Sequence, residues 1–227
     1  MIARTVGVLG GTFDPIHVGH LHLAEEVRRI LRLPRILMML SARPPHKTAD
    51  DLAPVAHREA MLRAALEDRP GLEIDTVELE RPDVAYSIDT LRWLRDGSRR
   101  CTPLFILGMD SLIDLPTWRE WRELLREFDL LVADRCRGAA DIDGLVDEVR
   151  ARLVELDDTE EMPGDLELGR GGRVFRMPVQ PVAVSSSGVR EKAAAGLALD
   201  GLVTPSVARY IQTHGLYCKE KRRSRPR

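Results

Sequence analysis

Cysteine is scarce in this 227-residue chain: Cys101, Cys136 and Cys218 stand far apart, with no Cys-x-x-Cys pair. An odd, dispersed set builds neither a disulfide framework nor a zinc knuckle, and it points to a reducing, cytoplasmic setting. Long apolar runs are missing as well. None approaches the ~20 residues that span a bilayer, and Gly10 and Gly11 interrupt the first apolar stretch before it can serve as a signal peptide. Nor is there an excess of one charge. The formal net charge is −2, which argues against a chain built around nucleic acid, because such domains carry a clear basic surplus. The single departure is residues 219–227, where Lys219, Lys221, Arg222, Arg223, Arg225 and Arg227 lack apolar periodicity. They read as a solvated basic tail rather than an arm for RNA or membrane. Two familiar phosphate motifs are also absent: there is no Gly-x-x-x-x-Gly-Lys-Ser/Thr loop, and the glycines after the first apolar run lack dinucleotide-fingerprint spacing.

What is present is ordinary in bulk and specific in detail. Hydrophobic residues make up 44% and charged residues 31%, which suits a globular chain long enough to bury a sizeable core. Residues 5–9, 35–40, 72–79, 104–107, 130–133 and 174–184 read as extended, and 5–9 ends in the double glycine as a tight turn. Residues 20–31, 54–66, 87–94, 117–128, 141–156 and 204–214 carry helical spacing. Pro44-Pro45 forces an extended loop. Residues 157–172 are acidic and glycine-rich without periodicity, as in a surface loop or insertion. Strands alternating with helices at this spacing predict an α/β fold, a doubly wound parallel sheet with helices on both faces and a small helical C-terminal part. Residues 1–218 are expected to form one domain, with 138–173 as a variable insertion.

In an open parallel sheet, ligands sit beyond the carboxyl ends of the strands, near a helix N-terminus. Gly10-Gly11 follows the first strand, where a missing Cβ lets a ligand approach the backbone. A helix starting near His17 to His20 supplies free N–H groups and roughly half a positive charge. His17 and His20 are three apart and face the same way, and Gly19 between them leaves room for a bulky anion. The combination suits a polyphosphate. A metal site is not expected, since His22 is out of phase with the pair and no carboxylate or thiolate stands at ligand spacing. A second anion-binding pattern, Ser185-Ser186-Ser187-Gly188-Val189-Arg190, comes much later. Serines at a helix start cap it and present hydroxyls and N–H groups, while Arg190 offers a fork of donors to phosphate oxygens. Taken alone, that pattern is equally a simple serine cap with a surface arginine.

The string Gly10-Gly11-Thr12-Phe13-Asp14-Pro15-Ile16-His17-Val18-Gly19-His20 strongly resembles the signature of the bacterial nicotinate-mononucleotide adenylyltransferases. These are nucleotidyltransferases with a His-x-Gly-His motif on a Rossmann-like fold. The short motif is shared with pantetheine-phosphate adenylyltransferase, cytidylyltransferases and class I aminoacyl-tRNA synthetases; the full string is more specific. Val184 to Arg190 resembles the family's Ile-Ser-Ser-Thr-x-Ile/Val-Arg, with Ser187 in the threonine's place. Pro44-Pro45-His46-Lys47 resembles its Pro-Pro-His-Lys, Ala85 to Leu91 its Ser-Tyr-Thr-x-Asp-Thr-Leu, and Gly108 to Leu112 its Gly-x-Asp-Ser-Leu. Thr117 to Trp121 aligns with its tryptophan segment, and Val207, Tyr210, His214, Leu216 and Tyr217 resemble its C-terminal ending.

The resemblance implies an enzyme that transfers AMP from ATP to nicotinate mononucleotide in NAD biosynthesis, with Mg²⁺ carried by the ATP. It implies ATP contacts from Gly10, Gly11, Thr12, Phe13, His17, His20, Gly108, Asp110, Ser185, Ser186, Ser187 and Arg190. Nicotinate mononucleotide would meet Gly11, Thr12, His46, Lys47, Ser87, Trp118 and Arg119, with Trp118 stacked on the pyridine ring and Trp121 in the core. His17, His20, Lys47 and Arg190 are the catalytic set it implies. Arg119 would favour an acid over an amide, and Arg58 is expected at the surface or in an ion pair. The partners are two small molecules, with no nucleic acid and no membrane; a homo-oligomer is left open. Competing readings are another adenylyltransferase of the superfamily and a nucleotide-binding module without turnover.

Overall fold

The computed structural model describes residues 5–41, 52–79, 86–97, 100–134, 142–156 and 168–218. Its strands are β1 (Thr5–Gly11), β2 (Ile36–Leu40), β3 (Leu72–Asp75), β4 (Thr102–Gly108), β5 (Asp129–Asp134), β6 (Leu153–Glu155) and β7 (Val174–Pro178). They form one sheet in the order β3-β2-β1-β4-β5-β7-β6, with every pair parallel. The helices are α1 (Val18–Ile30), α2 (Val55–Leu66), α3 (Ser87–Asp96), α4 (Met109–Ile113), α5 (Trp121–Glu127), α6 (Asp147–Arg150), α7 (Ser186–Ala194) and α8 (Pro205–Thr213). No helix among the described residues is long and apolar enough to cross a membrane.

The strands read as unbroken apolar runs because they are buried on both faces. Along β4, Leu104 and Ile106 join a core made with α1, α2, α7 and α8, including Ala24, Val27, Met61, Leu62, Val189 and Val207. Their neighbours Phe105 and Leu107 join a second core with α3 to α6, including Ile88, Leu91, Leu112, Leu124 and Val149. The period of two along each strand therefore divides the helices between the two faces. Each such side chain contributes about 1.5–3 kcal/mol when fully buried. The expected Rossmann-like, doubly wound α/β sheet is what forms. The chain winds outward from β1 through β2 to β3, then returns to place β4 on the other side of β1. That reversal leaves a crevice at the carboxyl ends of β1 and β4, where open α/β sheets bind ligands.

Several boundaries differ from the sequence expectation. The double glycine is strand rather than turn: Gly10 pairs with Met39 and Gly11 with Leu40, because β2 runs alongside and offers partners to the end. The extended stretch 72–79 stops at Asp75, whose Oδ1 accepts the Val77 N–H at 2.9 Å and opens a tight 3₁₀ turn, Val77–Leu79. Helical spacing over 117–128 becomes helix only from Trp121. Before it come a 3₁₀ turn at Leu115–Thr117 with Pro116 inside, an extended Trp118, and Glu120 in the left-handed region at φ 51°. Within the 141–156 stretch, Asp147–Arg150 is helical as α6, and Leu153–Glu155 becomes the outer strand β6. Pairing with the Val174–Arg176 edge outweighs local helical preference there. Finally, β7 ends at Pro178, which has no N–H for the ladder.

Candidate functional site

A cavity of about 390 Å³ opens at the carboxyl ends of β1, β2 and β4, in the β1–β4 crevice. Gly10 and Gly11 line it from β1 and Thr12 just after it, Met39 from β2 and Ser41 just after it, and Leu107 and Gly108 from β4; Tyr86 and Ser87 at the start of α3 and the Trp118–Arg119 turn close it. At Gly108 a Cβ would have nothing within 4 Å, so backbone stands open to a ligand. Gly11 is bare for a different reason: a Cβ there would press on the Phe13 ring at 3.0 Å. Phe13, buried at φ 44°, turns the chain from the cavity toward α1. Trp118 stands edge-on to Phe105, with 6.2 Å between ring centroids. The Arg119 guanidinium lies 4.6 Å over the Tyr86 ring and pairs with Glu120 at 3.5 Å and Asp89 at 3.9 Å.

The chain then reaches the histidine pair. His17 precedes α1 as an extended N-cap, and its N–H donates to Nδ1 of His20 at 3.3 Å. An Nδ1 used as acceptor carries no proton, so this geometry assigns the proton of a neutral His20 to Nε2, the donor that a phosphate oxygen needs. The two rings stack at 3.7 Å between centroids, and Phe13 meets His20 edge-on at 5.2 Å. The pair is held before any ligand arrives. Backbone amides contribute less than expected from the sequence. The Val18 N–H donates to the Leu202 carbonyl at 2.9 Å and the His20 N–H to the His17 carbonyl at 3.0 Å. Gly19 does not make room for an anion either. A Cβ there would stand 2.9 Å from Val184 Cγ1 and 3.2 Å from His17 Nδ1, so its bareness lets α1 approach the 184 segment while His17 keeps its place.

The serine–arginine segment arrives beside this turn. Ser185 caps α7, its Oγ accepting the Gly188 N–H at 3.1 Å. Ser186 Oγ donates to the Pro15 carbonyl at 3.0 Å, and Arg190 donates from Nη1 to the Asp14 carbonyl at 2.7 Å and from Nη2 to Ser187 Oγ at 3.3 Å. Motifs separated by most of the chain are thus bonded to each other. The profile of the cytidylyltransferase-like family matches residues 8–192, a span that holds both motifs and the cavity lining. The chain is 38% identical to the "Probable nicotinate-nucleotide adenylyltransferase" of Symbiobacterium thermophilum, over 94% of its own length and 95% of the relative's. The chain belongs to the nicotinate-nucleotide adenylyltransferase family. Its likeness to the protein of the same name from Roseiflexus sp. is 37%, over 96% of this chain and 100% of that one. Among solved structures, "Plasmodium falciparum nicotinic acid mononucleotide adenylyltransferase complexed with NaAD" superimposes with a TM-score of 0.69. It covers 94% of this chain and 97% of that one at 17% identity, a likeness of fold.

In this adenylyltransferase scaffold, Gly10, Gly11, Thr12, Ser87, Gly108, Trp118 and Arg119 meet around the cavity. Phe13, His17, His20 and the Ser185–Arg190 segment gather around the turn at Asp14 and Pro15. Asp110 is exposed, and its neighbour Ser111 lines the cavity instead. His46 and Lys47 lie outside the described residues.

Sequence reasoning gave no role to two buried charged groups beside the site and did not foresee the burial of a third. Asp14, 1% exposed, accepts at Oδ1 from the Tyr217 hydroxyl at 2.7 Å and the Ala53 N–H at 3.3 Å. Glu78, also buried, lines the cavity and accepts from Thr90 Oγ1 at 3.1 Å. Arg58, expected at the surface or in an ion pair, is 2% exposed and bonded to backbone carbonyls. A signal for Arg58 did exist: Met61, Leu62 and Ala65 follow at helical spacing, which puts Arg58 on the inward face of α2. Burial pulls the Arg58 guanidinium below its ordinary range, against the opposing charge of Asp14. Burial first, and then the Asp14 charge, push the Tyr217 phenol well above its ordinary range.

Proposed function

We infer that this chain transfers AMP from ATP to nicotinate mononucleotide, giving nicotinate adenine dinucleotide and pyrophosphate. The observation that carries this is the joining of the His17–His20 pair and the Ser185–Arg190 segment through the Asp14–Pro15 turn, next to a cavity at the β1–β4 switch point. The family supports the identity of both substrates. An oxygen of the acceptor's phosphate attacks the α-phosphorus of ATP; that P–O bond forms as the bond to the β-phosphate's bridging oxygen breaks, and pyrophosphate leaves with the electron pair. A phosphate with a second pKa of ~6 is already ionised at neutral pH, so no side-chain base is required. What remains is alignment and the stabilisation of charge.

On this reading His17 and His20 donate to the phosphates, Ser186, Ser187 and Arg190 stabilise the departing pyrophosphate, and Ser185 borders ATP as the cap of α7. Gly10, Gly11, Thr12, Phe13, Gly108 and Asp110 border the rest of ATP. Lys47 and His46, with Gly11 and Thr12, meet the acceptor's phosphate, while Ser87, Trp118 and Arg119 take its nicotinate moiety. Among the described residues no three His, Cys, Asp or Glu side chains converge on a metal position. Imidazole, hydroxyl and guanidinium groups surround the turn, and the nearby Asp14 and Glu78 carboxylates accept from Tyr217 and Thr90, so Mg²⁺ fits the ATP oxygens better than this protein set. Bound there, the ion would neutralise charge on the phosphates. Residues 1–218 act as one nucleotidyltransferase domain, and the cytoplasm is the compartment that fits its thiols.

The test is pyrophosphate release from ATP with nicotinate and nicotinamide mononucleotides side by side. Release with the nicotinate compound is expected. No release with either overturns the reading, and equal release with both keeps adenylyl transfer but removes the preference for the acid.

A further inference from the structure

Glu120 holds a backbone conformation that side-chain-bearing residues seldom adopt, left-handed at φ 51° and ψ 36°. It stands at the N-cap of α5, yet its side chain does not cap that helix. The carboxylate is engaged elsewhere: Oε2 accepts from Arg92 Nη1 at 2.9 Å, and Oε1 lies 3.5 Å from Arg119 Nε. Arg92 comes from α3. The rest of its fork, Nε and Nη2, donates to Glu127 Oε1 at 3.2 and 2.6 Å, and Glu127 is the last residue of α5. One arginine therefore ties both ends of α5 to α3.

The end at Glu120 is the one that matters for the cavity. Trp118 and Arg119, just before it, line the cavity, and so does Ser87, the first residue of α3. Arg119 leans on the same helix, with its guanidinium 4.6 Å over the Tyr86 ring and 3.9 Å from Asp89. Tyr86, Asp89 and Arg92 are three apart, so one stripe of α3 receives the whole turn. All of this lies on a single face of the sheet, where Leu91 and Leu124 share a core. The helices α1 and α7, which carry His20 and Ser186 to Arg190, pack Val27 and Val189 into the core of the other face. A shift of the α3–α5 contact thus moves one wall of the cavity and leaves the bonded phosphate motifs where they are.

As a stabilising device, an exposed ion pair is weak, because water and salt screen it. As a geometric device it has a clear object. A residue in the left-handed region persists only where its surroundings determine it, and such residues gather at ligand clamps. We propose that Glu120 and Arg92 are positioning residues for the acceptor substrate, whose ion pair sets the Trp118–Arg119 turn against Ser87 and so fixes the seat of the nicotinate moiety. The proposal rests on the reading above, in which those three residues take that moiety.

Full-chain Glu120→Ala, Glu120→Gln, Arg92→Met, and Glu120→Ala combined with Arg92→Met test it. Each is assayed for pyrophosphate release with ATP and nicotinate mononucleotide varied in turn, alongside thermal melting. Glu120→Ala is expected to raise KM for nicotinate mononucleotide about fivefold, the upper end for an exposed pair, with KM for ATP within about twofold of the parent. Glu120→Gln keeps an oxygen for Arg92 and should hold both KM values within about twofold. Both substitutions remove the charge beside Arg119. A KM for nicotinate mononucleotide that moves alike in the two would make that charge the cause and overturn the proposal. The combined variant should lose less than the product of its single variants, as for two groups acting through one contact; independent losses count against it. Arg92→Met also releases Glu127 and should melt lower; if it does not fold, the two Glu120 variants decide. A parental KM for nicotinate mononucleotide in Glu120→Ala overturns the proposal, as does an equal rise for both substrates. A parent chain that releases no pyrophosphate sinks the functional reading instead, and this proposal falls with it.

Discussion

His20 has two separable jobs, and substitution can divide them. Its Nδ1 accepts the His17 N–H at 3.3 Å, and its ring stacks on His17 at 3.7 Å and meets Phe13 edge-on at 5.2 Å. Losing the hydrogen bond costs about 0.5–1.5 kcal/mol, and each aromatic contact about as much again. Against a typical stability of ~5–15 kcal/mol, His20→Ala still folds. Its melting temperature should drop by several degrees, since ~1 kcal/mol moves it about 2–4 °C in a chain of this size. Losing the Nε2 donor is a different matter, because one preorganised donor is worth on the order of 10²–10³ in kcat. Asparagine places an oxygen near the Nδ1 position and nothing at Nε2, whereas glutamine reaches the Nε2 position and abandons the cap. His20→Asn can keep the hydrogen bond but not the two ring contacts, so it should melt between His20→Ala and the parent yet lose about 10²-fold or more in turnover. His20→Gln should melt lower and keep part of the rate. Pyrophosphate release and thermal denaturation read the two effects independently. A His20→Asn variant with near-parental kcat would remove Nε2 from the mechanism, and an unshifted melting temperature in His20→Ala would refute the structural half.

Trp118→Ala should raise KM for nicotinate mononucleotide about tenfold, in line with ~1–3 kcal/mol for an aromatic ring under a stacked base, and leave KM for ATP near the parent's; equal changes in both would show that Trp118 is not the acceptor's platform. Gly19→Ala sets two effects against each other: a Cβ 2.9 Å from Val184 and 3.2 Å from the His17 ring overpacks at about 1–3 kcal/mol, while alanine regains ~1 kcal/mol of helix propensity. Net destabilisation should stay under about 2 kcal/mol, with kcat falling at least about tenfold because His17 is displaced; a fully active variant would disprove the contact. The Tyr217 phenol is raised by burial and then by Asp14, so the native state favours its protonated form. That contribution is complete below the unfolded phenol's pKa of about 10 and is lost as pH rises toward the higher native value. Stability should fall less steeply above pH ~10 in Tyr217→Phe than in the parent, and parallel slopes in denaturant titrations would contradict this.

Elements were legible wherever one period dominated and the partner was obvious. The inner strands β1, β2, β4 and β5 lie where apolar runs stand, and α1, α2 and α8 lie where a helical stripe does. Boundaries slipped where a distant neighbour decided the outcome. Leu153–Glu155 carries a helical pattern but lies beside an unfilled strand edge, and pairing with Val174–Arg176 draws it into the sheet. Trp118 shares helical spacing with Trp121, yet a proline-bearing turn and a left-handed Glu120 set it ahead of the helix, on the cavity wall.

The site divides along the same line. Residue types and their local spacing are properties of the chain itself, so the sequence alone determined that two phosphate-binding segments exist, that His17 and His20 share a face, and which family they resemble. Only the tertiary structure decided what those groups touch. It bonded Ser186 to Pro15 and Arg190 to Asp14, bound Tyr217 to the same carboxylate, and buried Arg58 under Thr12, Ser41 and Ala53. The physical reason is that a hydrogen bond depends on a few ångströms of separation, and separation between distant segments is set by how the sheet winds. The reversal of winding after β3 brings β4 beside β1 and opens the crevice; no local pattern in the sequence records it.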